Sequence, residues 1–332
     1  MAVMYVKEQG AYIRKKNACI VVEKGSQTLL QIPAANLENI AVIGNVQVTS
    51  QALHMLLEMG VDINYFSFSG KYLGHVAAES SKNVFLRLAQ YEMYHNLEAR
   101  LRLAKRIVDN KILNQIQMVE KYSFEDKTYE WRADVEKMKD YRTKLIGKQT
   151  SNEVLGIEGI CSQIYFGAYG KMFKCEYEFH GRNRRPPRDP INVIISLGYT
   201  FLTKEVCSAL EAESFEMHIG FLHGIRYGRK SLALDIVEEF RQPVVDRLAI
   251  RLFNKRMITE FDFSVEEDSV LLNEDGFKKF CREFERWMVD KSFAGGEMAF
   301  RSRIKSQVTQ LKKAVQTGAD YFPFRWEGNT CI

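Results

Sequence analysis

The side chains able to do chemistry in this 332-residue chain gather in three places, all beyond residue 150. The first is the apolar, helix-like stretch NEVLGIEGICSQIYFGAYGKMF, which carries Glu158. At helical spacing Leu155, Ser162 and Tyr165 share the face of that glutamate. A carboxylate buried there must be paired, protonated or bound to a metal, whereas one at the helix boundary simply reaches solvent. The second place is GFLHG, in which His223 lies between glycines that allow close backbone approach, followed by a helix beginning at about Ser231. On that helix Leu232, Ile236 and Phe240 form an apolar stripe, while Asp235 and Glu238 project together from another face with Glu239 beside them. Like charges at that spacing need a partner, either an arginine such as Arg241 or a divalent cation. Carboxylate oxygens suit magnesium or manganese, and an imidazole nitrogen tilts the choice toward manganese or another transition metal. A solvated acidic face near a core histidine has the same spacing.

The third place is HGRNRRPPRDPIN, where Arg182, Arg184, Arg185 and Arg188 crowd around Pro186-Pro187, which keep the segment out of a helix. Such a cluster grips phosphates through guanidinium forks, or clamps a buried carboxylate such as Asp189. Arg226, Arg229 and Lys230 add a second basic group after His223. Farther on, AFRSRIKSQVTQLKKAV has a core stripe of Ile304, Val308, Leu311 and Val315, with Arg301, Lys305 and Lys312 along its edge. That edge is either a solvated face or one suited to a polyanion.

The elements that must position these groups fall into two lobes. Short β-prone runs at 2–6, 11–13, 19–22 and 29–32 are followed by IAVIGNVQVTS, a strand broken at Gly44-Asn45. A helix is expected over Gln51–Met59 with Gly60 as its stop, then strands at Val61–Phe68 and Tyr72–Val76. Residues 1–78 thus read as a β-rich domain and 79–84 as a linker. From Val84 to Tyr122 there is neither Gly nor Pro, and residues 85–332 read as a larger all-α catalytic, DNA-binding domain, giving an α+β chain. An irregular insertion is expected from Phe179 to Pro190. The net charge is +5, and residues 1–80 are balanced, so the whole excess, 41 basic against 36 acidic side chains, lies in the second lobe. The six cysteines are scattered without a CxxC pair, which argues against structural zinc and fits a reducing cytoplasmic setting. No stretch approaches the roughly 18 or more apolar residues of a membrane span, and no signal peptide is visible.

Taken in order, GNVQVT, GVDINYFSFSGKYLG, KILNQ, GIEGICSQIYFGAYG, RNRRPPRDPINVIISLGYTFL, GFLHG, SLALDIVEEFRQPVVDRL and GGEMAFRSRIKSQVTQL resemble one family along nearly the whole chain. It is the CRISPR-associated integrase that inserts new spacers, Cas-one. The resemblance implies a Mg2+- or Mn2+-dependent DNA endonuclease and integrase, in which the 3′-hydroxyl of a captured fragment attacks a phosphodiester of the repeat array. Its metal-binding trio falls on Glu158, His223 and Glu238, the last often aspartate in relatives, with Asp235 assisting. It also implies duplex and branched DNA as substrate, a homodimer built through the β-rich domains, and assembly with the small ferredoxin-like adaptation protein Cas-two. Two rivals share the residues: a catalytically silent nucleic-acid-binding protein whose trio pairs with arginines, and a small-molecule metallophosphohydrolase.

Overall fold

The structure is a computed structural model describing residues 2–68, 70–78, 83–122, 129–183, 186–266 and 269–327. The chain divides into two compact units, residues 1–80 and 81–332. In the first, strands β1 (Ala2–Val6), β5 (Leu37–Ile43), β7 (Asp62–Phe66) and β8 (Tyr72–Val76) form one sheet in that order. The first three run parallel, and β8 returns antiparallel through the Gly70 turn. A second sheet has the order β4 (Gln27–Pro33), β3 (Cys19–Lys24), β2 (Tyr12–Lys16) and β6 (Gln47–Val48).

The expected break at Gly44-Asn45 is where the chain leaves one sheet for the other. Gly44 takes φ +74, open to glycine without the penalty a Cβ brings. The Gln9 amide fastens the corner, donating to the Ile43 carbonyl at 3.1 Å and accepting from Asn45 N at 2.7 Å. Inward residues of both sheets, among them Val6, Ile13, Ile20, Ile40 and Ile63, meet Ala52 and Leu56 of helix α1 (Ser50–Glu58) in one core. Thr49 caps α1, and Gly60 at φ +68 ends the turn after it.

The second unit contains α2 (Val84–His95), α3 (Leu97–Tyr122), α4 (Trp131–Thr143), α5 (Ser151–Tyr169), α6 (Pro190–Ala212), α7 (Ser231–Phe240), α8 (Arg247–Asn254), α9 (Glu274–Val289), α10 (Lys291–Ala294) and α11 (Phe300–Thr317). It is not all helix: Phe263–Glu266 (β9) and Ser269–Leu272 (β10) pair as an antiparallel ribbon. The domain is otherwise helical as expected, and this one addition to the all-α expectation reflects the β-branched and aromatic residues of FSVE and SVLL. A correction concerns α6, which is long and apolar enough to cross a membrane. Yet 72% of its apolar window is buried inside the protein, as in a core helix. Asp189 caps α6, accepting from Asn192 N at 2.8 Å, with Pro190 in the first turn where its missing N–H costs nothing.

Between α7 and α8 the backbone widens into a π-helical turn, Arg241–Asp246. Pro243 lies in this turn, and a proline lacks the N–H that a regular helical ladder requires. After α11, Gly318 at φ +71 releases the chain into an extended strap, residues 318–327, with Tyr321, Phe324 and Trp326 buried.

Candidate active site

Helices α3, α5 and α7 converge on the ammonium group of Lys111. Lys111 sits on α3 and is only 5% exposed. Its Nζ donates to Glu158 Oε1 on α5 and lies 2.6 Å from Glu238 Oε2 on α7. Two carboxylates from different helices are thereby held around one positive charge. The same Glu158 oxygen accepts from Ser162 Oγ at 2.8 Å, one turn along the helix, as the shared face required. Gln115 in turn donates to Ser162 Oγ at 3.2 Å. Arg241 Nε approaches the same Glu238 Oε2, standing 3.0 Å from it, at ion-pair distance but not aligned as a hydrogen bond. Burial pushes the Glu238 carboxyl upward, yet Arg241, Lys111 and His223 outweigh it and hold the pKa down at about 2.

His223 is placed by Asp235, which is fully buried. Asp235 Oδ2 accepts from Phe221 N at 2.6 Å and Leu222 N at 3.0 Å, while Oδ1 accepts from His223 N at 2.9 Å. Oδ1 also lies 2.7 Å from His223 Nδ1. One carboxylate therefore satisfies three consecutive backbone donors and fixes the ring, which leaves Nε2 as the nitrogen for a ligand. Burial works against the imidazolium, but the bond to Asp235 and its charge, with Glu238 beyond, raise the His223 pKa above its ordinary value. Gly220 makes the arrangement possible. A Cβ there would stand 2.7 Å from the Ser231 carbonyl carbon, 2.8 Å from the His223 oxygen and 2.9 Å from Asp235 Oδ2.

Among the described residues no three His, Cys, Asp or Glu side chains are grouped closely enough to hold a metal ion as they stand. The donors nevertheless fit one in kind: two carboxylates already gathered about a cation, and an imidazole locked by a carboxylate behind it. Glu239, beside Glu238 in sequence, faces away from this cradle. It accepts from Tyr321 Oη, from Gln307 Nε2 at 3.0 Å and from Phe324 N at 2.8 Å, and so anchors the strap. Asp246, in the π-helical turn, accepts from Tyr199 Oη at 2.6 Å and Tyr165 Oη at 2.8 Å. The Arg241 guanidinium carbon lies 4.4 Å from the Tyr199 ring centroid, linking this buried network to Glu238.

The basic residues separate into two kinds. Arg182 donates to Asn192 Oδ1 at 2.7 Å and Ser196 Oγ at 2.9 Å, bracing the irregular insertion against α6. Asp189 is held by Asn183 and Asn192 amides. Arg184 and Arg185 lie outside the described residues, and Arg188 is exposed. After His223, Arg229 donates to the Gly224 carbonyl and to Ser231 Oγ at 3.1 Å, closing the base of a loop. Lys230 leads directly into α7. At the tip Arg226 is exposed, flanked by Ile225 and by Tyr227, whose side chain is entirely in solvent. On α11, Lys305 is exposed and Lys312 pairs with Glu213 at 2.7 Å. Arg301 is buried, its guanidinium bonded to Glu205 and Glu285 at 2.7–2.9 Å, so it does not line a polyanion-facing edge as its spacing suggested. A long apolar helix edge conceals such a partner because both glutamates come from other helices. Sequence reasoning missed Lys111 and Tyr227, and only the basic, glycine-flanked loop gave any signal for the latter.

Comparison with known proteins bears on this arrangement directly. The sequence profile described as CRISPR associated protein Cas1 matches residues 4–286. CRISPR-associated endonuclease Cas1 3 of Thermus thermophilus is 34% identical over 318 residues, covering 94% of this chain and 93% of the relative. A solved Cas1 protein from Thermotoga maritima superposes with a TM-score of 0.83 at 28% identity, covering 96% and 97% of the two chains. A chain of a solved Cas6-RT-Cas1–Cas2 complex superposes at TM-score 0.84 and 25% identity, with 98% of this chain matching 36% of that longer one. With a profile match over most of its length and relatives aligned nearly end to end, this chain belongs to the CRISPR-associated Cas1 family.

Proposed function

We propose that the protein is a divalent-metal-dependent DNA endonuclease and integrase that inserts short DNA fragments into a CRISPR array. The observation that carries this reading is the gathering of Glu158 and Glu238 around one positive charge, beside a His223 already oriented by Asp235. Glu158, His223 and Glu238 would hold Mg2+ or Mn2+, which when bound supplies charge stabilisation at the phosphoryl oxygens and activates the attacking or leaving oxygen. Asp235 keeps the ring in one tautomer and the loop in one conformation. Arg226 and Tyr227 stand on the exposed tip of that same loop, a charge for phosphate and a flat face for an unstacked base. No protein nucleophile is required, because the 3′-hydroxyl of the incoming strand attacks and the broken strand's 3′-oxygen leaves.

Small-molecule phosphohydrolysis is disfavoured by this solvent-facing tip, which suits a polymer rather than an enclosed nucleotide. The silent nucleic-acid-binding reading draws on a specific observation: Glu158 and Glu238 are both paired with basic side chains. Integration of a short duplex into a supercoiled repeat-containing plasmid, with and without Mn2+ or Mg2+ and the small Cas2 partner, separates the two. Glu158→Gln and Glu238→Gln should each lower strand transfer at least a hundredfold while DNA binding persists. Metal-independent or absent transfer by the unaltered protein overturns the reading. The Cas2 partner follows from the composition named for the structural relative.

The homodimer belongs to the same proposal. Among the described residues strand β4 is an edge of its sheet, paired with β3, and leaves Leu29 and Leu30 more than 40% exposed. An apolar edge strand of this kind is a template for a second copy.

A further inference from the structure

Within the metal-site reading, on which it rests, we propose that Lys111 is a built-in counter-cation that competes with the divalent ion for Glu158 and Glu238. Two carboxylates converging from α5 and α7 repel unless a positive charge lies between them, and in this structure that charge is the Lys111 ammonium. It is placed there by α3, buried, with its long stem already confined, so the glutamates are gathered before any ion arrives. A divalent ion held by Glu158 and Glu238 would compete with the Lys111 ammonium for the same two carboxylates. The lysine therefore holds the carboxylates together without metal and must withdraw for the ion to bind. This accounts for two features together: donors that suit a metal, and the absence among the described residues of three ligands grouped closely enough to bind one as they stand.

Arg241 does not play this part. It reaches the same Glu238 oxygen as Lys111 but is also held over the Tyr199 ring, whereas Lys111 is the cation that pairs with both Glu158 and Glu238.

The test is Mn2+ binding by the full-length protein, followed by titration calorimetry and by the loss of the free-ion electron-paramagnetic signal. Wild type, Lys111→Met, Lys111→Arg and Glu158→Gln are compared, with Lys111→Gln in place of the methionine variant should that fail to fold. Removing the charge should tighten Mn2+ binding at least tenfold, while Lys111→Arg should bind no tighter than wild type. The melting temperature of Lys111→Met should fall below wild type without metal and recover when Mn2+ is added. Mn2+ binding by wild type that Lys111→Met leaves equal or weaker overturns the competition and spares the metal site. No Mn2+ binding by any variant overturns both. Binding that appears only when the lysine charge is removed supports competition in its strongest form.

Discussion

Two adjacent glutamates show how little sequence neighbourhood says about chemistry. Glu238 is held at a pKa of about 2 by the cations around it, whereas Glu239, fully buried and bonded to the neutral donors Tyr321, Gln307 and Phe324, is pushed up to about 7. For Glu239 desolvation outweighs the three donors that favour its charge. Because its folded pKa lies above the unfolded value, the folded protein binds the extra proton between about pH 4.5 and 7. Stability from this group is fully present below that window and is lost as pH rises through it, by on the order of 3 kcal/mol. Glu239→Gln keeps an acceptor for Phe324 N and Gln307 while presenting its amide to Tyr321. Melting temperatures at pH 5 and pH 8 should therefore differ less in the variant than in wild type, with the gain appearing at pH 8. An unchanged difference would mean that the titrating group lies elsewhere; Asp246, raised to about 6, is the next candidate.

At the level of elements, the site depends on how closely α7 approaches the loop before it. Gly220 lies in an ordinary backbone region, so its need for a missing side chain is one of space and not of conformation. Gly220→Ala should separate Asp235 from the three backbone donors, costing about 1–3 kcal/mol of stability. It should also lower strand transfer more than tenfold with little change in DNA affinity; a fully active variant would show that the loop can yield. The strands, the break at Gly44 and the starts of α2 and α7 were legible because turn chemistry and periodicity are local. Glu158, His223 and Asp235 stood out because glycines flank them or charges collide. Lys111 did not, since a lysine within a long helix looks like any solvated position and its partner Glu158 lies 47 residues away. The β9–β10 ribbon had a readable alternation but was outweighed by the helical pattern on both sides.

For the whole molecule, the proposed dimer rests on β4. Leu29→Lys combined with Leu30→Lys should shift the protein from dimer to monomer by sedimentation while leaving the β-rich core, to which neither residue belongs, intact. An unaltered sedimentation profile would move the interface off this edge. The strap carries a different consequence, one of order in time. Glu239 accepts from Tyr321 and Phe324, which lie 82 and 85 residues further along the chain. A ribosome delivers α7 long before it delivers those residues, so the growing chain exposes the helix of Glu238 with its neighbouring carboxylate uncovered. The face of α7 that carries Glu239, turned away from the cradle, is therefore covered only after residues 321–324 have been made.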